Sequence, residues 1–208
     1  MGKILTGNEP GRPRSFCAEA ALAAAMRVFA AKGFEGASLS DLTEAMGINR
    51  PSLYAAFGNK EALFRQAMEQ YVRDGAAHVA ECLAAPTARE GVERLLREGV
   101  ARWTDPEWPG LCFVTQMPLD VAGASVETRL DMAEKRVIVE QALRNRIARA
   151  VVDGELPAST AADDLARFYF VMIQGLALQA QHGASPKELL QVVDVAMQRW
   201  PARAGVAA

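Results

Sequence analysis

Helix-start and helix-stop signals recur along almost the whole chain, and this punctuation constrains the fold more than any other feature. The stretches Ser38–Asp41, Thr87–Glu90 and Ser185–Glu188 each place a hydroxyl residue three positions before an acidic one, which is the pattern of a capping box. Glycines such as Gly33 and Gly47 follow segments of helical period, as expected at helix ends. No segment shows the period-two alternation of a half-buried strand. The sequence therefore predicts an all-α fold of about nine helices.

The punctuation also suggests how the chain is divided. Residues 1–14 are polar and carry Gly and Pro, which favours a flexible N-terminal arm. Residues 15–60 form three short helical segments, and we expect a three-helix unit there. Residues 61–203 are predicted to form a second, larger helical domain. With 208 residues, half of them hydrophobic, the chain can bury a substantial core.

The cysteines and the apolar runs of the sequence indicate the cellular compartment of the protein. Cys17, Cys82 and Cys112 are odd in number and lack the spacing of a disulfide framework. No secretory leader begins the sequence, and the longest apolar run, "LARFYFVMIQGLALQA", is too short to span a bilayer. We therefore expect a soluble cytoplasmic protein with no membrane association.

Motifs for catalysis or cofactor binding are absent from the sequence. His78 and His182 are its two histidines, and it has no nucleophile elbow, glycine-rich phosphate loop or zinc-protease motif. His78 and Cys82 stand four residues apart, a helical spacing that can hold a metal ion, but two ligands are too few. A third would have to be Cys112 or a carboxylate. The sequence therefore predicts a protein that is not an enzyme and binds neither a cofactor nor a metal ion.

The stretch "GINRPSLYAAFGNKEALF", residues 47–64, ends one helix at a glycine and starts another at once. Such a pair of short helices is a helix-turn-helix, in which Gly47 supplies backbone freedom and Ile48 an apolar plug beneath the turn. The inward-facing residues are predicted to be Leu42, Ala45, Leu53 and Phe57.

The second helix of this pair begins with hydrogen-bonding residues on its outward face, namely Asn49, Arg50 and Ser52, followed by Tyr54. A helix N-terminus bearing such groups suits a DNA major groove, because that end reaches base edges and its free amides favour phosphate. The alternative is a tight corner in an ordinary helical bundle.

The longer stretch "GFEGASLSDLTEAMGINRPSLYAAFGNKEALF" resembles the DNA-binding domain of the TetR family of bacterial transcriptional regulators. Together with "GRPRSF" and the first helix, the resemblance covers about residues 11–72. Pro51 stands where many members have glycine, and Ala55 and Ala56 replace a frequent polar or histidine pair. The resemblance implies a homodimeric, sequence-specific repressor that a small-molecule effector, of unidentified chemistry, releases from a palindromic operator on double-stranded DNA.

The resemblance also implies roles for single residues. Arg50 is the candidate for a bidentate contact to guanine, with a phosphate contact as the alternative. Tyr54 and Lys60 would contact the DNA backbone, and the arm residues would enter a minor groove or remain solvated. The predicted DNA-binding set is Arg12, Arg14, Ser38, Ser40, Asn49, Arg50, Pro51, Ser52, Tyr54 and Lys60.

In the larger domain, the resemblance implies dimerisation through the last two helices, with ordinary monomer core as the alternative. The predicted interface residues are Leu176, Leu189, Val193, Met197 and Trp200.

The resemblance implies an effector pocket between the middle helices, and its lining residues are selected for size, apolar character or polar guiding groups. They are Trp103, Trp108, Cys112, Phe113, Gln116, Met117, Phe168 and Met172. Two alternatives stay open, a thiol sensor at Cys112 and a DNA-binding protein without ligand control.

Overall fold

The computed structural model describes residues 17–106, 125–126, 130 and 137–201. Within these ranges the chain forms eight α-helices and no strand, which confirms the all-α prediction. The helices are α1 (Ala18–Gly36), α2 (Leu39–Met46), α3 (Arg50–Phe57), α4 (Lys60–Leu83), α5 (Ala88–Trp103), α6 (Val137–Val152), α7 (Ala162–Gln181) and α8 (Pro186–Gln198). The sequence also predicts a short helix at 111–117, stopped by Pro118, and this segment lies outside the described residues. None of the described helices is long and apolar enough to cross a membrane.

The predicted start signals lie at the observed helix starts. Ser38, Thr87 and Ser185 each form a complete capping box with the acidic residue three positions later. Asn49 and Asn59 cap α3 and α4 by accepting hydrogen bonds from backbone amides. These local bonds satisfy amides that have no partner within their own helix, so the side chains fix the helix boundaries.

One hydrophobic cluster joins α1, α2 and α3 to the first turns of α4. The Phe64 ring lies 5.0 Å from that of Phe29 and 5.2 Å from that of Phe34, in edge-to-face geometry. One prediction needs correction here. Ala45 is exposed, and Met46 takes the buried position because it lies one turn after the buried Leu42.

The Gly33 signal predicts that the first helix ends near residue 32. Gly33 has non-helical angles (φ 71°, ψ 170°), so the helical geometry does break where the glycine indicated. Helical hydrogen bonding nevertheless resumes beyond it and continues to Gly36. The short second part brings Phe34 into the first cluster.

A second hydrophobic cluster joins the end of α4 to α5, α6, α7 and α8. Tyr169 lies at its centre, fully buried, and its hydroxyl donates to the Ala196 carbonyl oxygen at 3.1 Å. Helix α4 contributes to both clusters, since its Leu63–Met68 turn belongs to the first and its Val79–Leu83 turn to the second. One continuous helix therefore connects the two cores.

A buried arginine that the sequence reasoning missed ties four segments together. Arg146 on α6 is 5% exposed and donates to the Leu83 carbonyl oxygen at 3.1 Å and to Glu155 Oε1 at 3.0 Å. Glu155 Oε2 in turn accepts the Ala88 amide at 2.6 Å. Partial burial would raise the pKa of Glu155, but these bonds outweigh it and lower the pKa. This pair joins the end of α4, the start of α5, α6 and the turn after α6.

Candidate nucleic-acid interface

The turn between α2 and α3 has the geometry that the sequence predicts. Gly47 adopts left-handed angles (φ 65°, ψ 29°), and its amide and that of Ile48 bond back to the last turn of α2. An added Cβ at Gly47 would meet no atom within 4 Å, so glycine is required by the backbone angle and not by space. Ile48 is half-buried against the first cluster, which confirms its predicted place beneath the turn.

Helix α3 is held by two side chains and leaves the rest of its surface to solvent. Leu53 and Phe57 are buried in the first cluster. The outward residues Asn49, Arg50, Pro51, Ser52, Tyr54, Ala55 and Ala56 are all exposed. These residues cover the first turn and the outer face of α3. In helix-turn-helix proteins, the first turn of the second helix reaches the base edges in the major groove.

Two residues of the outer face have hydrogen-bonding roles within the chain. Asn49 Oδ1 accepts from the Ser52 amide at 2.9 Å, and its NH2 group takes no part in this cap. Arg50 Nη2 donates to Ser40 Oγ at 2.8 Å, although the residues are ten positions apart. Ser40 lies in the first turn of α2, so this bond brings together the N-terminal turns of both helices.

The start of α2 is fixed to α1 by an ion pair. Asp41 Oδ1 lies 2.7 Å from Lys32 Nζ, while Ser38 Oγ accepts from the Asp41 amide at 3.1 Å. The bond from Lys32 and the bonds of the capping box lower the pKa of Asp41 to about 2. Ser38 therefore acts as a cap, and its predicted contact with DNA phosphate stays a prediction.

Lys60 lies at the start of α4, beside the end of α1. Its Nζ donates to the Glu35 carbonyl oxygen at 3.3 Å and stands 4.7 Å from the centre of the Phe34 ring. The lysine thus stabilises this corner within the chain, and its predicted phosphate contact stays a prediction. Arg12 and Arg14 lie outside the described residues.

Three of the predicted effector-binding residues lie in the described part of the chain, and two of them, Trp103 and Met172, belong to the second cluster or pack against it. Trp103 is buried and Met172 half-buried, but Phe168 is 42% exposed on the outer face of α7. Phe168 is therefore not a lining residue of an interior pocket here, because its helix presents the opposite face to the core. The remaining predicted residues, Trp108, Cys112, Phe113, Gln116 and Met117, lie outside the described residues.

A groove of about 560 Å³ adjoins Trp103. It runs between Ala30 and Ala31 of α1 and the α7–α8 turn, including Gly183 and Ser185. The groove thus touches both the helix-turn-helix unit and the larger helical unit.

The predicted dimer residues lie mostly inside the single chain. Leu176, Leu189, Val193 and Met197 are 0–4% exposed in the single chain, where they form part of the second cluster, and Trp200 is half-buried 5.3 Å from the Tyr169 ring. The helical pattern of α8 identified its most apolar stripe, which the chain itself buries. The outer faces of α7 and α8 instead expose Phe168, Val171, Leu178, Val192 and Val195.

Comparison with protein families gives two matches in chain order. Residues 21–67 match the profile of the tetR family of bacterial regulatory proteins. Residues 88–196 match the tetracyclin repressor-like C-terminal domain. The first match contains α2, Gly47 and α3, and the second contains α5 to α7 and most of α8.

Individual relatives extend over nearly the whole chain. The HTH-type transcriptional repressor ComR of Escherichia coli K12 is 32% identical over 193 residues, which cover 92% of each chain. A cysteine mutant of the TetR-family regulator CifR, solved with 26-base-pair double-strand operator DNA, is 43% identical with a TM-score of 0.80, covering 91% of this chain and all of that one. Reduced E. coli NemR has a TM-score of 0.77 at 19% identity, with 91% and 98% coverage, and supports the fold alone.

Proposed function

Because this chain belongs to the TetR family of bacterial regulatory proteins, we propose that it is a repressor whose homodimer binds a palindromic operator and leaves it when a small-molecule effector binds. The observation that carries the proposal is the α2–Gly47–α3 corner with its exposed α3 face. Such a repressor acts on chromosomal DNA in the cytoplasm. It needs no catalytic activity for this function.

DNA recognition by this corner follows from its chemistry. A major groove about 12 Å wide admits one α-helix. The exposed first turn of α3 offers Asn49, Arg50 and Ser52 to base edges, while the first turn of α2 offers free amides and Ser40 to phosphate. Arg50 can exchange its bond to Ser40 for two parallel bonds to guanine, because its guanidinium has five donors.

A single helix-turn-helix reads few base pairs, so a second copy is needed for a long, specific site. Two recognition helices about 34 Å apart contact successive major grooves on one side of the duplex, which requires a palindrome. We assign the contact between the copies to the outer faces of α7 and α8. Phe168, Val171 and Leu178 form one exposed stripe with Gly175, and Val192 and Val195 continue it on α8. An added Cβ at Gly175 would meet no atom within 4 Å of the single chain, which leaves room for close approach of a partner helix.

Release by an effector requires a site that touches both units. The groove beside Trp103 meets α1 on one side and the α7–α8 turn on the other. A ligand in such a position can shift the helix-turn-helix relative to the dimer contact if it binds the misaligned state better, and a hundredfold preference corresponds to about 2.7 kcal/mol. Trp103, Pro106 and the alanines there favour an effector with an apolar part, and Thr104 and Gln181 can bind a polar group on it. The thiol-sensor alternative at Cys112 stays a prediction.

Selection of genomic fragments by the purified protein tests the proposal. We expect the bound fragments to share an inverted repeat that takes up two chains per site, with an affinity that falls steeply with salt because phosphate contacts release counterions. Fragments without a common sequence, or binding by one chain alone, would contradict the proposed homodimeric repressor.

The selected operator then serves to test release. Compounds are screened for lowered operator affinity, and tryptophan fluorescence is recorded with the same compounds. A compound that changes the fluorescence but leaves DNA affinity unchanged would show binding without control of the operator.

A further inference from the structure

Three side chains with metal-binding atoms converge at the contact between α4 and α5. His78 and Cys82 lie one turn apart on α4, and Nε2 of the histidine is 3.7 Å from Sγ of the cysteine. Glu98 on α5 completes the group, with Oε2 3.5 Å from His78 Nε2 and 3.6 Å from Cys82 Sγ. The same carboxylate oxygen is thus close to both other donors, so the three atoms form a nearly equilateral triangle.

These separations match the edges of a tetrahedral zinc site. Zinc binds sulfur at about 2.3 Å and nitrogen or oxygen at about 2.0–2.1 Å, which places neighbouring ligand atoms about 3.3–3.6 Å apart. The observed edges are 3.5–3.7 Å. We propose that His78, Cys82 and Glu98 bind one zinc-type divalent ion per chain.

The kinds of ligand select the class of metal. A thiolate and an imidazole favour zinc and related transition ions over magnesium or calcium, which take oxygen ligands. The charges also balance, since a thiolate and a carboxylate together neutralise a divalent ion. Without an ion, burial and, next, the Glu98 charge raise the pKa of Cys82 to about 11, and its thiol bonds to Glu98 Oε2. Binding of the ion releases this thiol proton to solvent.

A neighbouring arginine holds the carboxylate in a suitable orientation. Arg94 Nε donates to Glu98 Oε1 at 2.7 Å, and Arg94 Nη2 donates to Glu81 at 2.7 Å. Because Arg94 binds Oε1, Oε2 is turned toward His78 and Cys82. Hydrogen bonds of this kind to a ligand oxygen position it for the metal. Arg94 is a positioning residue in this proposal, and Glu81 fixes it from the other side.

The site also has a path to solvent and room for a fourth ligand. Cys82 is fully buried, whereas His78 and Glu98 are partly exposed and line a cavity of about 460 Å³ together with Ala101, Arg102 and Asp105. An ion can therefore reach the triangle from the cavity, and a water molecule can occupy the fourth position. Three protein ligands with one open position are common in zinc sites that exchange a ligand.

Cobalt(II) provides the direct test, because thiolate and tetrahedral coordination to cobalt give characteristic visible and near-ultraviolet bands. The full chain, freed of metal by a chelator, is titrated with Co²⁺ and then with Zn²⁺. We expect one Co²⁺ per chain, a sulfur-to-cobalt charge-transfer band, strong d–d bands and displacement of the cobalt by zinc. Weak octahedral d–d bands without the charge-transfer band, at any stoichiometry, would overturn the proposal.

Matched variants assign the ligands. Cys82→Ser, His78→Gln and Glu98→Gln should each lower Co²⁺ affinity by about a hundredfold or more, with Cys82→Ser also removing the charge-transfer band. Cys17→Ser and His182→Gln are the controls, because they change an exposed cysteine and an exposed histidine outside the proposed site. Both should bind Co²⁺ with the affinity of the unaltered protein. Affinity lost in these two controls, or retained in the three ligand variants, would place the ion elsewhere and contradict the proposal.

Two further measurements separate metal binding from structural damage. Arg94→Gln should lower affinity about 10–100-fold while leaving the charge-transfer band in place at saturation, as expected for a positioning residue. Zinc should raise the melting temperature of the unaltered chain but not that of the three ligand variants, whose helical circular dichroism should match the unaltered chain's. If zinc raised the melting temperature of Cys82→Ser equally, the assignment would be wrong.

Discussion

The residue type of Arg50 indicates a contact with DNA, and the structure adds the hydrogen bond that holds its side chain in place. The sequence identifies it as an arginine on the outer face of a short helix, which suits contact with guanine or phosphate. It cannot reveal the 2.8 Å bond to Ser40, because that bond depends on the packing angle of α2 and α3. The bond holds a long, flexible side chain beside the first turn of α2 before DNA arrives. The lost side-chain freedom is then smaller on binding.

We expect Arg50→Ala to weaken operator binding by about 1–3 kcal/mol and to relax the preference at one base position, because a bidentate contact to guanine is lost. The measurement is DNA affinity by fluorescence anisotropy on the operator, on operators changed at single positions and on random DNA. Arg149→Ala removes an exposed arginine from α6 and serves as the charge-matched control. An equal loss on operator and random DNA would make Arg50 a phosphate contact.

The Lys32–Asp41 pair makes the helix-turn-helix unit sensitive to acid. The pKa of Asp41 is lowered from about 3.8 to about 2, so the stability it contributes is present above its unfolded pKa and is lost as pH falls through the folded value. Asp41→Asn should therefore be less stable than the unaltered chain at pH 7, and the difference should disappear between pH 4 and 2. Urea unfolding across this pH range measures it.

Asp74→Asn, an exposed change in the middle of α4, is the control for this titration. If the two substitutions gave the same pH profile, the lowered pKa of Asp41 would not contribute to stability.

At the level of helices, starts are predictable and buried faces are less so. Capping boxes at Ser38, Thr87 and Ser185 are local patterns, and their bonds form within four residues. The face that α7 or α8 gives to its own core depends on neighbouring helices that are distant in sequence. α7 is apolar on several sides, so periodicity alone could not separate buried Leu176 from exposed Leu178.

Two glycines allow a matched test of the turn. Gly47→Ala should destabilise the chain by about 1–2 kcal/mol, because alanine must then adopt the left-handed angles at φ 65°. Gly75→Ala, inside α4 with no atom within 4 Å of the added Cβ, should stabilise it by about 0.5–1 kcal/mol. Urea unfolding of both variants gives the two signs. Stabilisation by Gly47→Ala would contradict the positive-φ turn.

Among the polar contacts of the described chain, loss of the Arg146–Glu155 pair should cost the most stability. We expect Arg146→Met to cost about 3 kcal/mol, since it leaves the Glu155 carboxylate and the Leu83 carbonyl without this donor. Arg149→Met is the control, and we expect it to cost less than about 1 kcal/mol because its ion pair with Asp153 is exposed. Thermal and urea unfolding measure both. A similar cost for the two substitutions would show that burial of Arg146 does not matter.

At the level of the whole molecule, dimer contact and single-chain folding can be separated by substitution. Val195→Glu should convert the protein to a monomer, because it puts an unpaired charge into the proposed contact while the chain's own core is unchanged. Val152→Glu changes a valine that is 85% exposed on α6, outside the proposed contact, and should remain dimeric. Analytical ultracentrifugation at micromolar concentration measures the assembly. A dimeric Val195→Glu protein would require another contact surface.

The sequence was sufficient for the helical class, the helix-turn-helix and its exposed residues because these rest on short patterns. It was insufficient wherever residues meet from distant segments. His78 and Cys82 indicated two metal ligands, but Glu98 lies sixteen residues after Cys82 and joins them only because α5 packs on α4. Arg146 reads as a surface residue of a polar helix, and its burial follows from the carbonyls and Glu155 that surround it.

Helix α4 also has a consequence for building hybrid regulators. Between Val72, which packs on the first cluster, and Val79, which belongs to the second, residues 73–78 include no buried side chain. A hybrid protein joined within these six positions would combine the complete first cluster of one regulator with the complete second cluster of another. Neither cluster would be divided by the joint. Helical phase would have to be kept, because each residue added or removed rotates the following part by about 100°. The joint offers a natural place to give one sensing domain the operator preference of another.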